Sequence, residues 1–225
     1  MSKVVLIGGQ KGGIGKSTMT SFFANFLTNM AEKNVLVIDA DDLQHTLVRK
    51  RASEINEGLY TEDEAPYKLI PAASDDVPDL IDSMGDMYDI IMVDLPGNLK
   101  QSGVVEVYCK ADFIFIPLKI DFQNLDSLKL FLQYYNEDIV EEKLRNNSDC
   151  KVVAFLNNVD NRNKDTREFL NIKEQFEKMI PVMDEYITRS VLFERGFNTF
   201  EAYENAVDKK KYWNFYKEVL EIINL

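Results

Sequence analysis

Residues 4–18 read VVLIGGQKGGIGKST. A short apolar run enters a glycine-rich turn, and the turn ends in Lys-Ser-Thr at the head of a helical pattern. The spacing of a phosphate-binding P-loop is Gly, four free residues, then Gly-Lys-Ser/Thr. Gly15, Lys16 and Ser17 fit the end of that pattern. Its first glycine falls on Gln10, and a second lysine, Lys11, stands inside the loop. Backbone N–H groups of Gly12, Gly13, Ile14, Gly15 and Lys16 are expected to wrap a β-phosphate, helped by the dipole of the following helix. Lys16 is expected on the β- and γ-phosphate oxygens, the Ser17 hydroxyl on Mg²⁺, and Thr18 on the α-phosphate.

The rest of the chain repeats the strand-then-helix pattern. Apolar runs at 4–8, 35–40, 67–72, 89–94, 113–118 and 152–158 predict strands, with a further short one at 185–188. Several are apolar on both faces, as strands of a helix-covered parallel sheet are. Residues 16–31 place Phe22, Phe23, Phe26 and Leu27 on one helical face, and 122–135 do the same with Leu125, Leu128, Phe131 and Leu132. Residues 164–179 and 209–224 predict further amphipathic helices. This alternation predicts a doubly wound α/β fold with a mostly parallel sheet flanked by helices. The 225 residues, 45% of them hydrophobic, suffice for one domain spanning 1–225. The polar stretch 49–66 reads as a helix end followed by a solvated connection.

In such a sheet, ligands bind beyond the carboxyl ends of the strands, and the remaining chemistry lies there. Asp94 ends the run YDIIMVD, placed to hold Mg²⁺ beside the phosphate loop, and Pro96-Gly97 then form a turn suited to sensing a γ-phosphate. VLVIDADDLQ ends another strand with Asp39, Asp41 and Asp42. Carboxylates this close repel unless a cation is near. Asp39 is expected at the metal's water shell and Asp41 at the attacking water, while Asp42 reads as a cap for the following helix. Asn157, in FLNNVDNR, can hydrogen-bond an adenine edge.

Composition excludes several classes. The net charge of −12 argues against a protein coated in basic surface for nucleic acid. It is uneven, −11 over residues 1–150 and −1 over 151–225, so the C-terminal third is less hostile to DNA. Cys109 and Cys150 are too few for a disulfide framework and read as buried free thiols in a reducing cytoplasm. One histidine, His45, cannot form a His-based triad or metal cluster and reads as a loop residue. No apolar run of 18 residues predicts a membrane span.

Taken together, the QKGGIGKST loop, DADDLQ, DLPG (94–97), the stretch ADFIFIPLKIDFQNLDSL (111–128) and Asn157 resemble the ParA/MinD family of deviant Walker ATPases over nearly the whole chain. The resemblance implies that Lys11 is the family's signature lysine, crossing a dimer interface to the phosphates of the other subunit, with Lys16 acting in cis. It implies two ATPs between two subunits, Mg²⁺, and Asp41 as the acid tied to hydrolysis. Asp42 and Leu43 depart from the family's D-x-D-P-Q, in which Pro and Gln are usual. In ITRSVLF (187–193) the usual proline is missing and Arg189 stands near the base. The chain begins at its first strand, with no helix-turn-helix expected ahead of it, as in short plasmid-type and conjugative-element ParA proteins.

The resemblance implies a bacterial cytoplasmic, nucleoid-associated ATPase. It would partition plasmid, chromosomal or mobile-element DNA, be stimulated by a ParB-like partner and bind DNA without sequence preference. Candidate phosphate contacts are Lys209, Lys210 and Lys211, with Arg189 and Arg195; a solvated helix start explains the lysine run equally well. The alternatives are a MinD-like ATPase held to a membrane by 209–225, and a metabolic enzyme of the dethiobiotin-synthetase type. Against the first, Glu218 and Glu221 interrupt the polar face, and packing of that helix on the sheet is expected. Against the second, Lys11 would have no use. The nitrogenase iron protein has the extra lysine but needs two cluster cysteines, and Cys150 is in the wrong context.

Overall fold

The computed structural model describes residues 2–10, 12–42, 44–145, 149–189, 198–200 and 212–225. Six parallel strands form one sheet: β1 (Lys3–Ile7), β2 (Val35–Asp39), β3 (Lys68–Pro71), β4 (Ile90–Asp94), β5 (Phe113–Leu118) and β6 (Lys151–Leu156). Their order is β3-β2-β4-β1-β5-β6. The chain builds to one side of β1 with β2 and β3 and to the other with β5 and β6. The crevice above β1 is therefore where the winding reverses, the place for a ligand in an open α/β sheet.

Side-chain alternation along β1 divides the core. Val4 and Leu6 join the layer under α3 (Val77–Met84), α4 (Val104–Lys110), α5 (Phe122–Tyr134) and α7 (Arg167–Glu177). Val5 and Ile7 join the opposite layer, under α1 (Lys16–Asn29), α2 (Thr46–Asn56) and α8 (Trp213–Ile222). A π-helical turn, Tyr135–Ile139, leads from α5 into α6 (Val140–Arg145). β2, β4 and β5 are buried along their whole length, which is why their sequences are apolar on both faces.

The C-terminal helix packs on the sheet layer, as expected. Phe215, Tyr216, Val219 and Ile222 are buried, Tyr216 stacks on Phe26 of α1 with ring centres 3.7 Å apart, and Phe215 meets Phe23 edge-on. At roughly 1.5–3 kcal/mol for each buried large side chain, this stripe is committed to the core rather than available to a membrane. Among the described residues, no helix is long and apolar enough to cross a membrane.

Two expectations are corrected and one is refined. Residues 185–188 form no strand. The chain beside edge strand β6 makes only single bridges, Ala154 with Val182 and Val159 with Thr188. Between them the Glu218 carboxylate captures the N–H groups of Asp184 and Glu185, both at 2.9 Å, and interrupts the ladder. The stretch 49–66 is the expected helix end followed by a largely exposed connection over residues 57–64, but its helix end carries buried charge. It contains most of α2, with Arg51 and Glu54 buried. Arg51 donates to the Tyr67 and Thr199 carbonyls at 3.0 and 3.2 Å, and Glu54 accepts from the Thr199 N–H and hydroxyl. Charged residues that look solvated in sequence are thus matched inside. Cys109 and Cys150 are half-buried free thiols rather than fully buried ones.

Candidate active site at the phosphate loop

The loop after β1 turns into α1 at Gly15, whose φ of +97° suits glycine. A Cβ there would also stand 2.9 Å from the Asn157 amide nitrogen. That nitrogen donates to the Ile14 carbonyl at 3.0 Å, so Asn157 holds the loop as well as facing its cavity. From the opposite side, the buried Tyr108 hydroxyl of α4 accepts from the Gly9 N–H at 3.3 Å. No sequence signal marks Tyr108, because its role rests on a contact 99 residues away.

Lys16, Asp94, Asp39 and Asp41 converge, as the strand-end pattern predicts. Strand register sets Asp39 directly beside Asp94. Asp94 is 1% exposed, and neither carboxylate oxygen has a hydrogen-bond partner. Burial pushes its pKa up to about 7, and the neighbouring Asp39 and Asp41 charges add to this. Ser17 and Lys16 pull the other way without completing a hydrogen bond to it. Lys16 is itself buried, which lowers its pKa against the opposing pull of Asp94 and Asp41. A buried carboxylate without partners is costly, and a cation at this point would remove the cost. Among the described residues, no group of three or more His, Cys, Asp or Glu side chains forms a metal cage.

Asp39 does more than face this point. Its Oδ2 accepts from the N–H groups of Leu47 and Val48, at 2.9 and 3.0 Å, at the start of α2. Burial raises its pKa, while these bonds, the Asp41 N–H and nearby His45 counter the rise. His45 is the loop residue preceding α2, as expected. Asp42, read as the helix cap, is corrected: Asp39 fills that role, because its strand aims the carboxylate at the helix end. Asp42 instead accepts from the Ser74 N–H at 3.2 Å and from Gln101 Nε2 at 2.7 Å. Asp41 is half-buried and accepts from the Gln44 N–H at 3.3 Å. Gly97, in the turn after β4, lies against the loop. A Cβ there would meet the Gln10 carbonyl at 3.2 Å and Lys16 Nζ at 3.4 Å.

A cavity of about 200 Å³ opens beside the loop, lined by Gly13, Ile14, Gly15, Thr18, Met19, Lys119, Asn157, Asn158 and Thr188. It brings Thr18 and Asn157 together as expected and adds Lys119, Asn158 and Thr188. The Arg189 backbone bonds to Val159 beside it. Gly12 is exposed at the loop's crest. Lys11, Leu43, Arg195, Lys209, Lys210 and Lys211 lie outside the described residues.

Known proteins resemble this chain in sequence and in fold. Residues 5–199 match the family described as the CobQ/CobB/MinD/ParA nucleotide binding domain. A septum site-determining MinD protein of Emiliania huxleyi is 25% identical over 142 residues, and the match spans about half of each chain (52% and 52%). Among solved structures, a Borrelia burgdorferi plasmid partition protein bound to AMPPNP superposes with a TM-score of 0.67 at 18% identity, covering 99% of this chain and 98% of that one. ParA of pNOB8 bound to nonspecific DNA gives 0.71 at 16% (100% and 99%). Aquifex aeolicus MinD gives 0.68 at 17% (100% and 98%). At these identities the superpositions establish the P-loop fold, and the family match over 195 residues establishes the membership. The chain belongs to the CobQ/CobB/MinD/ParA nucleotide binding domain family and carries a ParA/MinD-type ATPase domain.

Proposed function

We propose that this protein is a Mg²⁺-dependent ATPase that dimerises on ATP and serves DNA partitioning, its slow hydrolysis stimulated by a ParB-like partner. The observation that carries the ATPase reading is Asp94: a buried carboxylate without partners, beside Lys16 and Ser17 and under the phosphate loop. Ser17 and Asp94, with Asp39 behind them, would hold Mg²⁺, which when bound neutralises phosphate charge. The N–H groups of Gly12 to Lys16 bind the phosphates, Lys16 pairs with them in cis, and Thr18 and Asn157 face the nucleoside side. Asp41 orients the attacking water, and Lys11 reaches the partner subunit's nucleotide. The partition reading draws on the similarity to plasmid partition proteins and to a ParA bound to nonspecific DNA. The buried stripe of α8 weighs against a MinD-like membrane anchor.

Light scattering without nucleotide, with ADP, and with ATP plus Mg²⁺ tests this, on wild type and on Asp41→Ala. The expected result is a dimer only with ATP and Mg²⁺, lasting longer in Asp41→Ala. A monomer in every state despite bound ATP would overturn the trans role of Lys11 and favour a metabolic P-loop enzyme.

A further inference from the structure

Lys119 stands one residue past β5, and its ammonium donates to the Gly13 carbonyl at 3.0 Å. Its position is set by the sheet. β5 and β6 run in register through Leu118 and Leu156, and the Asn157 N–H donates to the Leu118 carbonyl at 2.8 Å. Lys119 and Asn157 therefore leave adjacent strand ends and reach the same loop, at Gly13 and Ile14 respectively.

With Asn158, Lys119 also lines two spaces. One is the 200 Å³ cavity with Thr18 and Thr188; the other is a larger one of about 490 Å³ with Asp160 and Phe169. The smaller cavity is below the roughly 300–1,000 Å³ of pockets that enclose a whole ligand, so it is sized for one part of a nucleotide. That part is the nucleoside, because the phosphate end is fixed by Lys16 and Asp94. In a loop whose N–H groups turn inward to an anion, the carbonyls are left for partners outside. An ammonium on the Gly13 carbonyl steadies the loop from there, and a lysine that lines a cavity can present its apolar stem to it.

We propose that Lys119 is a nucleotide-specificity residue. Its stem forms the wall against which a purine nucleoside lies, and its ammonium ties that wall to Gly13, holding nucleoside and phosphates in register. This rests on the nucleotide-binding reading of the same loop.

Calorimetric titration with ATP and with inorganic tripolyphosphate, both with Mg²⁺, tests it on wild type, Lys119→Ala and Lys119→Met. Lys119→Ala is expected to weaken ATP about tenfold, and Lys119→Met, which keeps an apolar stem, about threefold, through the lost stem contact and loop tether. Tripolyphosphate affinity is expected to stay within about twofold in both, since Lys119 bonds a carbonyl of the loop rather than a phosphate and the N–H groups that bind phosphate are held by the rest of the loop. Equal weakening of ATP and tripolyphosphate, or unchanged ATP affinity in Lys119→Ala, would overturn the proposal. Wild type that binds neither ligand, or binds both equally well, would instead overturn the nucleoside site itself. Thermal unfolding of each variant reports whether the fold is kept, and Lys119→Met carries the test if Lys119→Ala fails to fold.

Discussion

Replacing Asp94 with asparagine is expected to stabilise the nucleotide-free protein while destroying its function. Asp94 is 1% exposed and lacks hydrogen-bond partners, and burial carries its pKa from 3.8 to about 7. A carboxyl raised in the folded state favours folding when protonated. That advantage is complete below the unfolded value and is lost as pH rises through the folded one. Once both states are ionised the loss reaches about 4 kcal/mol at 1.36 kcal/mol per tenfold change. Asparagine imitates the protonated carboxyl in shape and neutrality and does not titrate. Asp94→Asn is therefore expected to gain about 3 kcal/mol over wild type between pH 5 and pH 8. For a chain of this size that is roughly 6–12 °C in Tm. Urea unfolding of both proteins at pH 5, 6, 7 and 8, without Mg²⁺ or nucleotide, measures the difference, and other groups common to both cancel. Adding Mg²⁺ and ATP should then raise wild type and leave Asp94→Asn nearly unmoved. A stability difference that stays flat with pH would refute the reasoning, because no buried unpaired charge would then be present at Asp94.

Other substitutions probe other parts. Lys11→Ala is expected to keep ATP affinity and lose the ATP-dependent dimer; an intact dimer by light scattering would remove the trans role. Thr199→Val keeps the shape but removes the hydroxyl that Glu54 accepts from, and should cost about 1–3 kcal/mol in urea unfolding; unchanged stability would mean residues 198–200 are not anchored on α2. Gly97→Ala places a methyl within 3.2–3.4 Å of the Gln10 carbonyl, the Gly12 N–H and Lys16 Nζ. It should lower ATP turnover about tenfold or more through a displaced loop, with Tm nearly unchanged; undiminished turnover would show that the turn does not set Lys16.

Much of this fold is legible in sequence because the sheet is buried on both faces. β2, β4 and β5 had to be written in apolar residues, and each had to end where polar chemistry begins. The phosphate loop is legible because glycine spacing reports backbone conformation directly. What escapes are side chains whose meaning depends on a distant partner. Arg51 and Glu54 look solvated until Thr199 and Tyr67 are folded over them. Lys119 looks like any surface lysine until β5 sets it against Gly13, 106 residues away. Asp39 takes the capping role expected of Asp42 for the same reason. Three nearby carboxylates satisfy the same sequence pattern, and only strand direction decides which one meets the first turn of α2.

Asp42 stands where the resemblance sets a proline, and the two residues restrain a loop differently. A proline fixes its own φ and says nothing about neighbouring loops. Asp42 is held by Ser74 and Gln101, Gln101 also donates to the Ser74 hydroxyl at 3.3 Å, and that hydroxyl donates to the Ala40 carbonyl at 3.0 Å. Ser102 donates to Asp75 at 2.6 Å, and a Cβ at Gly103 would come within 2.5 Å of the Ser74 and Asp75 backbone. The loops after β2, β3 and β4 are thus fastened together, and the last of them carries Gly97 against Lys16. A proline would let the Asp41 loop keep its shape while the Gly97 loop shifted. With Asp42, any shift of the Gly97 loop has to stretch the bond to Gln101 or carry Asp41 with it.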